Sequence, residues 1–128
     1  MYLYRPVGLA IRYFGIVFAV GFALGTVRTL ILAPRIGDVG AVAIELPIIL
    51  LAAWLVCGWL LHGQRLTLPD AAAMGAVAFA LLMAAEALLS VLLAGRTLSE
   101  HLALYAEPAH LLGLSGQIAF AAFPLVRR

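Results

Sequence analysis

The side chains able to do acid–base, ion-binding or metal chemistry in this otherwise apolar chain are Arg28, Glu45, Glu86, His101, Tyr105, Glu107 and His110. A carboxylate held in hydrocarbon pairs with a cation, takes up a proton or binds an ion, and Arg28 is the natural partner of Glu45. Glu107-Pro108-Ala109-His110 has the Glu-x-x-His spacing that sets two metal ligands on one helix face. A di-metal bundle needs two such motifs, however, and this chain has one, with Pro108 disturbing its geometry, so no metal or other cofactor is expected. Nucleophilic chemistry is poorly equipped: Ser90, Ser99 and Ser115 lack a G-x-S-x-G setting, Cys57 is single, and the absence of lysine excludes a Schiff base.

These groups must be positioned by membrane helices. The chain has 128 residues, of which 66% are hydrophobic and 11% charged, and its mean hydropathy is +1.13. A globular domain has roughly half apolar and a quarter charged residues. At about 20 apolar residues per span, the length allows four or at most five crossings, leaving no room for a nucleotide-binding or soluble catalytic domain. The charge of +2 comes from scattered arginines rather than a basic patch, so nucleic acid is not an expected partner.

The apolar runs predict an all-α, polytopic four-helix bundle forming a single transmembrane domain over 1–128, with spans at 7–33, 41–61, 70–94 and 108–126. The first run is read as a retained span rather than a cleaved leader. Pro34 to Gly40 has turn composition, as does the break at His62-Gly63-Gln64-Arg65. Thr97-Leu98-Ser99-Glu100 has capping-box form and predicts a short interfacial helix over 98–106 before the last span. Two prolines are expected to bend the path: Pro47, beside Glu45, and Pro108, which kinks or restarts the final helix. Close packing is expected at the Gly21/Gly25 pair and along Ala76, Ala80 and Ala84, either within the bundle or toward another copy or subunit. Trp54, Trp59, Tyr2, Tyr4 and Tyr13 are read as packing or interface anchors.

Arginine bias sets the orientation. Arg5, Arg12, Arg65, Arg127 and Arg128 on one side outnumber Arg28, Arg35 and Arg96 on the other, so both termini are expected in the cytoplasm of a bacterial inner-membrane protein. With a rise of about 1.5 Å per residue, Arg28, Glu45 and Glu86 lie roughly 6–13 Å in from the outer ends of their spans. Glu107 and His110 open the last span from that side. The strongly polar groups therefore share one leaflet, and the cytoplasmic half is nearly all apolar, Ser115 and Gln117 excepted.

Length and span count are similar to those of fluoride channels and small multidrug-resistance exporters. The chain has no asparagine for the first and no glutamate in its first span for the second. The segment 21–35 with Glu45-Leu46-Pro47 resembles a recurrent type of small four-span bacterial inner-membrane protein, over about the first half of the chain; the resemblance implies the fold and adds no catalytic residue. Three readings of function follow. The first is a non-enzymatic accessory or lipid-contacting protein, with membrane lipids and a protein partner or second copy around it. The second is a small oligomeric transporter or channel using Glu86, and the third an intramembrane enzyme acting on a lipid or quinone through Glu107, His110 and Tyr105.

Overall fold

The computed structural model describes residues 4–63 and 65–128; Tyr2 and Gln64 lie outside the described residues, as does the side chain of Tyr4. The described residues are helical throughout, without strands: α1 (Tyr4–Val27), a π-helical turn (Arg28–Leu32), α2 (Ala33–Leu61), α3 (Leu68–Leu92), α4 (Leu98–Ala103), a 3₁₀ turn (Leu104–Ala106) and α5 (Pro108–Arg127). Three stretches are long and apolar enough to cross a membrane: Arg5–Leu61, Leu68–Leu92 and Pro108–Arg127. Only 17% of the apolar window in each is buried inside the protein. Side chains such as Leu30, Trp59, Leu92 and Leu93 face outward, and a surface this apolar is compatible with lipid, not with water.

The first stretch corrects the predicted turn over 34–40. It is helical across 57 residues, because Pro34 enters α2 in its first turn, where a missing N–H costs nothing. The break is confined to Gly37, at φ 83° and ψ 167°, backbone space that is essentially glycine's alone. The chain doubles back there. Arg28 reaches Glu45 at 2.9 Å, and a Cβ on Gly21 would lie 3.6 Å from Ile49 Cδ1; a straight helix would hold these pairs about 25 Å and 42 Å apart. Pro47 is interior to α2 yet keeps helical torsions. Pro108 occupies the first turn of α5, so it starts that helix rather than kinking it.

Caps set the remaining boundaries. The Thr67 hydroxyl accepts the Asp70 N–H at 3.2 Å, so α3 begins and ends two residues before the predicted span. At α4 the capping box is complete: the Thr97 hydroxyl accepts the Glu100 N–H at 3.1 Å, and Glu100 accepts the Thr97 N–H at 2.8 Å. The interfacial segment over 98–106 accordingly forms as α4 plus the 3₁₀ turn.

The long helices form a ring in which α1 and α5 each pack on both α2 and α3. The tight core lies at one end, where Leu9, Ala10 and Tyr13 of α1 meet Cys57 and Leu60 of α2, Met74 and Ala78 of α3, and Phe120 of α5. Glycine permits the close approaches, though not the glycines predicted. A Cβ on Gly75 would strike the Ala121 carbonyl, one on Gly116 the Leu46 side chain, and one on Gly58 the Arg127 guanidinium. A Cβ on Gly21 would make an ordinary contact, one on Gly25 would press at 3.3 Å on the far end of the Arg28 side chain, and Ala76, Ala80 and Ala84 lie on the exposed face of α3. The inward face of α3 instead carries Ala71, Met74, Gly75 and Ala78, a different helical stripe.

Across the diagonal, Tyr13 and Phe120 stack at 4.2 Å, and the buried Tyr13 hydroxyl donates to the Phe120 carbonyl at 2.6 Å. That carbonyl would ordinarily accept from residue 124. Residue 124 is proline, interior to α5 and buried, so tyrosine supplies the donor that the helix lacks. Tyr13→Phe should destabilise the protein in detergent by about 1–3 kcal/mol, the usual cost of orphaning a buried acceptor. In a Pro124→Ala background, which restores the N–H, thermal unfolding should register a clearly smaller loss.

Candidate functional site

Away from the packed end the helices border a half-open cavity of about 990 Å³. Its apolar wall is built on α1, where Phe14, Phe18 and Phe22 recur every fourth residue and so share a face. Ring centroids are 5.2 Å apart for Phe14 and Phe18, and 6.4 Å for Phe18 and Phe22. Phe120 lines the deep end. Every polar residue singled out in the sequence lines this same cavity: Arg28, Glu45, Glu86, His101, Tyr105, Glu107 and His110.

Arg28 opens the π-helical turn, whose wider coil is closed by the Ala33 N–H on the Arg28 carbonyl. Such turns inside helices recur at functional sites. The Arg28 Nε lies 2.9 Å from Glu45 Oε2, but its N–H is not aimed as a hydrogen bond, so the contact is principally ionic. Its two side chains are 36% and 15% exposed, which places the pair at the cavity edge rather than in solvent.

Glu86 is held differently. The Tyr105 hydroxyl donates to Oε2 at 3.2 Å, and the Gln117 amide donates to Oε1. No cation pairs with Glu86 among the described residues. Burial, and then the Glu86 charge, push the Tyr105 hydroxyl up to about 12, so Tyr105 stays a proton donor throughout the neutral range. The Tyr105 ring stands edge-on to His101 at 5.4 Å and to His110 at 6.2 Å. His101 is 5% exposed, and its Nδ1 has no protein partner.

Glu107 is the N-cap of α5 with extended torsions (φ −84°, ψ 142°). It stands just outside the regular helix that carries His110, so the Glu-x-x-His spacing is not presented within one helix. Among the described residues no group of three or more His, Cys, Asp or Glu side chains is arranged to hold a metal.

Three contributors escaped the sequence reading. Gln117 was noted only as an isolated polar residue, yet it holds Glu86 from α5. Arg96, read as a topology signal, donates from Nη1 to the Ser90 hydroxyl at 3.1 Å and lines the cavity. Arg127, counted likewise, donates to the Trp54 carbonyl at 2.8 Å and lies 4.4 Å from that ring, closing the packed end. The spacing of Phe14, Phe18 and Phe22 was the available signal for the aromatic wall. Comparison with protein families, with curated proteins and with solved structures finds no match to this chain.

Two predictions follow from this geometry. Arg28→Ala and Glu45→Ala should each lower thermal stability in detergent by on the order of 1 kcal/mol, the double variant being no worse than the poorer single one, since removing both charges leaves neither unpaired. At α4, the Thr97 N–H, then its hydroxyl and the Arg96 charge, hold the Glu100 carboxyl below its ordinary value of 4.5. The capping contribution is therefore complete above that value and lost as pH falls through the lower folded one. Amide exchange at Thr97 and Glu100 should accelerate over that acid range, and in Glu100→Gln the dependence should vanish.

Proposed function

We propose that this is a multi-pass membrane protein that acts by binding, taking one amphiphilic molecule into its cavity from the outer leaflet. In this reading the two arms on either side of Gly37 cross separately, giving four spans. Both termini lie in the cytoplasm of a bacterial inner membrane, with the polar mouth on the far side. The observation that carries it is the division of a single cavity into a phenylalanine wall and a polar mouth. Its volume, about 990 Å³, is at the upper end of the roughly 300–1,000 Å³ of small-molecule sites, well beyond what one ion requires. Apolar chain against Phe14, Phe18 and Phe22, with a headgroup among Arg28, Glu45, Glu86 and His110, matches each end to its chemistry.

A transporter using Glu86 has less support. Tyr13 and Phe120 close the deep end with a stacked pair, and the core beyond them is apolar, so the polar lining serves one side only. An accessory role beside a larger membrane complex is consistent with lipid binding and depends on partners.

Native mass spectrometry of the protein released from mild detergent is the test. Saturable retention of one lipid per chain is expected. Phe18→Trp, which reshapes the middle of the phenylalanine wall, should weaken it about tenfold. Retention that is non-saturable and indifferent to Phe18→Trp would overturn the proposal, as would proton flux in reconstituted vesicles that Glu86→Gln abolishes.

A further inference from the structure

We infer that the headgroup bound at the Glu86 end of the cavity is a primary amine in its ammonium form, carried by an aminophospholipid or by a free long-chain amine. The inference rests on the amphiphile-binding reading above and concerns which amphiphile is taken.

Around Tyr105 the acceptors outnumber the donors. Each Glu86 oxygen accepts one hydrogen bond, Oε2 from Tyr105 and Oε1 from Gln117; a carboxylate oxygen has two lone pairs, so each has capacity for another. The Gln117 Oε1 is buried without a partner. So is His101 Nδ1, on a side chain that lines the cavity at 5% exposure and that accepts there when its ring proton is on Nε2. Buried acceptors without donors are costly, and they share a requirement for N–H groups from the occupant.

Charge points the same way. The two arginines lining the cavity are engaged, Arg28 by Glu45 and Arg96 by the Ser90 hydroxyl. Asp38, Glu86 and Glu107 line it with no cationic partner among the described residues. An anionic headgroup would meet four carboxylates, Asp38, Glu45, Glu86 and Glu107, against two arginines, Arg28 and Arg96. An ammonium has three N–H donors, no acceptor and a positive charge, which complements both the acceptor excess and the charge. A quaternary ammonium has the charge without the N–H groups and leaves the buried acceptors unmet. The discrimination is therefore between headgroups that differ in N-methylation, a contrast that an apolar wall cannot make.

The experiment titrates purified protein, in mild detergent under native mass spectrometry, with phosphatidylethanolamine, phosphatidylcholine and phosphatidylglycerol of identical chains, and separately with dodecylamine. The ethanolamine lipid should bind roughly ten- to a hundredfold more tightly than the other two phospholipids. Glu86→Gln should erase that preference while leaving residual chain-dependent binding, and His101→Phe, which keeps the ring against Tyr105, should reduce it. Thermal unfolding like wild type certifies that both variants are folded. Binding of dodecylamine that depends on Glu86, with phosphatidylethanolamine excluded, supports the amine and identifies the free amphiphile as its source. Saturable binding without headgroup preference, or a preference unchanged in Glu86→Gln, overturns the inference and leaves the amphiphile-binding reading standing. No saturable binding of any of these probes overturns both.

Discussion

A backbone carbonyl in a medium without water must find a donor within the protein, and in this chain one proline makes that requirement decisive. Pro124 removes the N–H that would have served Phe120, and the donor comes instead from Tyr13, 107 residues away in sequence. The bond ties the first helix to the last across the diagonal of the ring, where the backbones themselves do not touch. Because the hydroxyl must reach that oxygen, the two rings are brought face to face, and their stack closes the deep end of the cavity. The position of the cavity floor and the satisfaction of the α5 backbone are thus one fact.

From that floor the molecule changes character along its length. On one side, glycines at 58 and 75 let Arg127 and the α5 backbone come close, and the packing is tight. On the other, the helices carry phenylalanines and charged groups that cannot interdigitate so closely, and a cavity remains. Arg28 and Glu45 pair at its edge, whereas Glu86 is held by neutral donors, Tyr105 and Gln117. The short helix α4, fixed by its capping box, brings His101 and Tyr105 over the mouth. The two carboxylates differ in their partners: guanidinium for Glu45, amide and phenol for Glu86.

Much of this was legible in the residues. Apolar run lengths bounded α3 and α5 within two residues, whereas α2 begins at Ala33, well before the predicted 41, and Thr97-x-x-Glu100 located α4, because a capping box is a local motif whose partners are three residues apart. The polar cluster could be assigned to one end from rise per residue alone. Helix faces were not legible. α3 is apolar on every side, so no amphipathic stripe distinguishes the row with Ala76, Ala80 and Ala84 from the row with Met74, Gly75 and Ala78. Small size then indicated compatibility with packing but not direction. The bend was misread because the composition of Pro34 to Gly40 is that of a turn, while α2 accepts Pro34 at its start and concentrates the reversal in Gly37. The Tyr13–Phe120 bond required the fold, although an interior proline four residues after Phe120 announces that some donor must be found.

The doubling back at Gly37 also bears on how such a chain is made. Everything needed to neutralise Arg28 is present once Glu45 has been synthesised, well before α3 or α5 exists. The first two arms can therefore meet as a hairpin with its ion pair already closed, without waiting for α3 or α5. Glu86 has no such provision: Tyr105 and Gln117 both follow it in the chain, and its hydrogen bonds close only when the last helix arrives. The Arg28–Glu45 pair can thus close early in the making of the chain, and the hydrogen bonds of Glu86 close last.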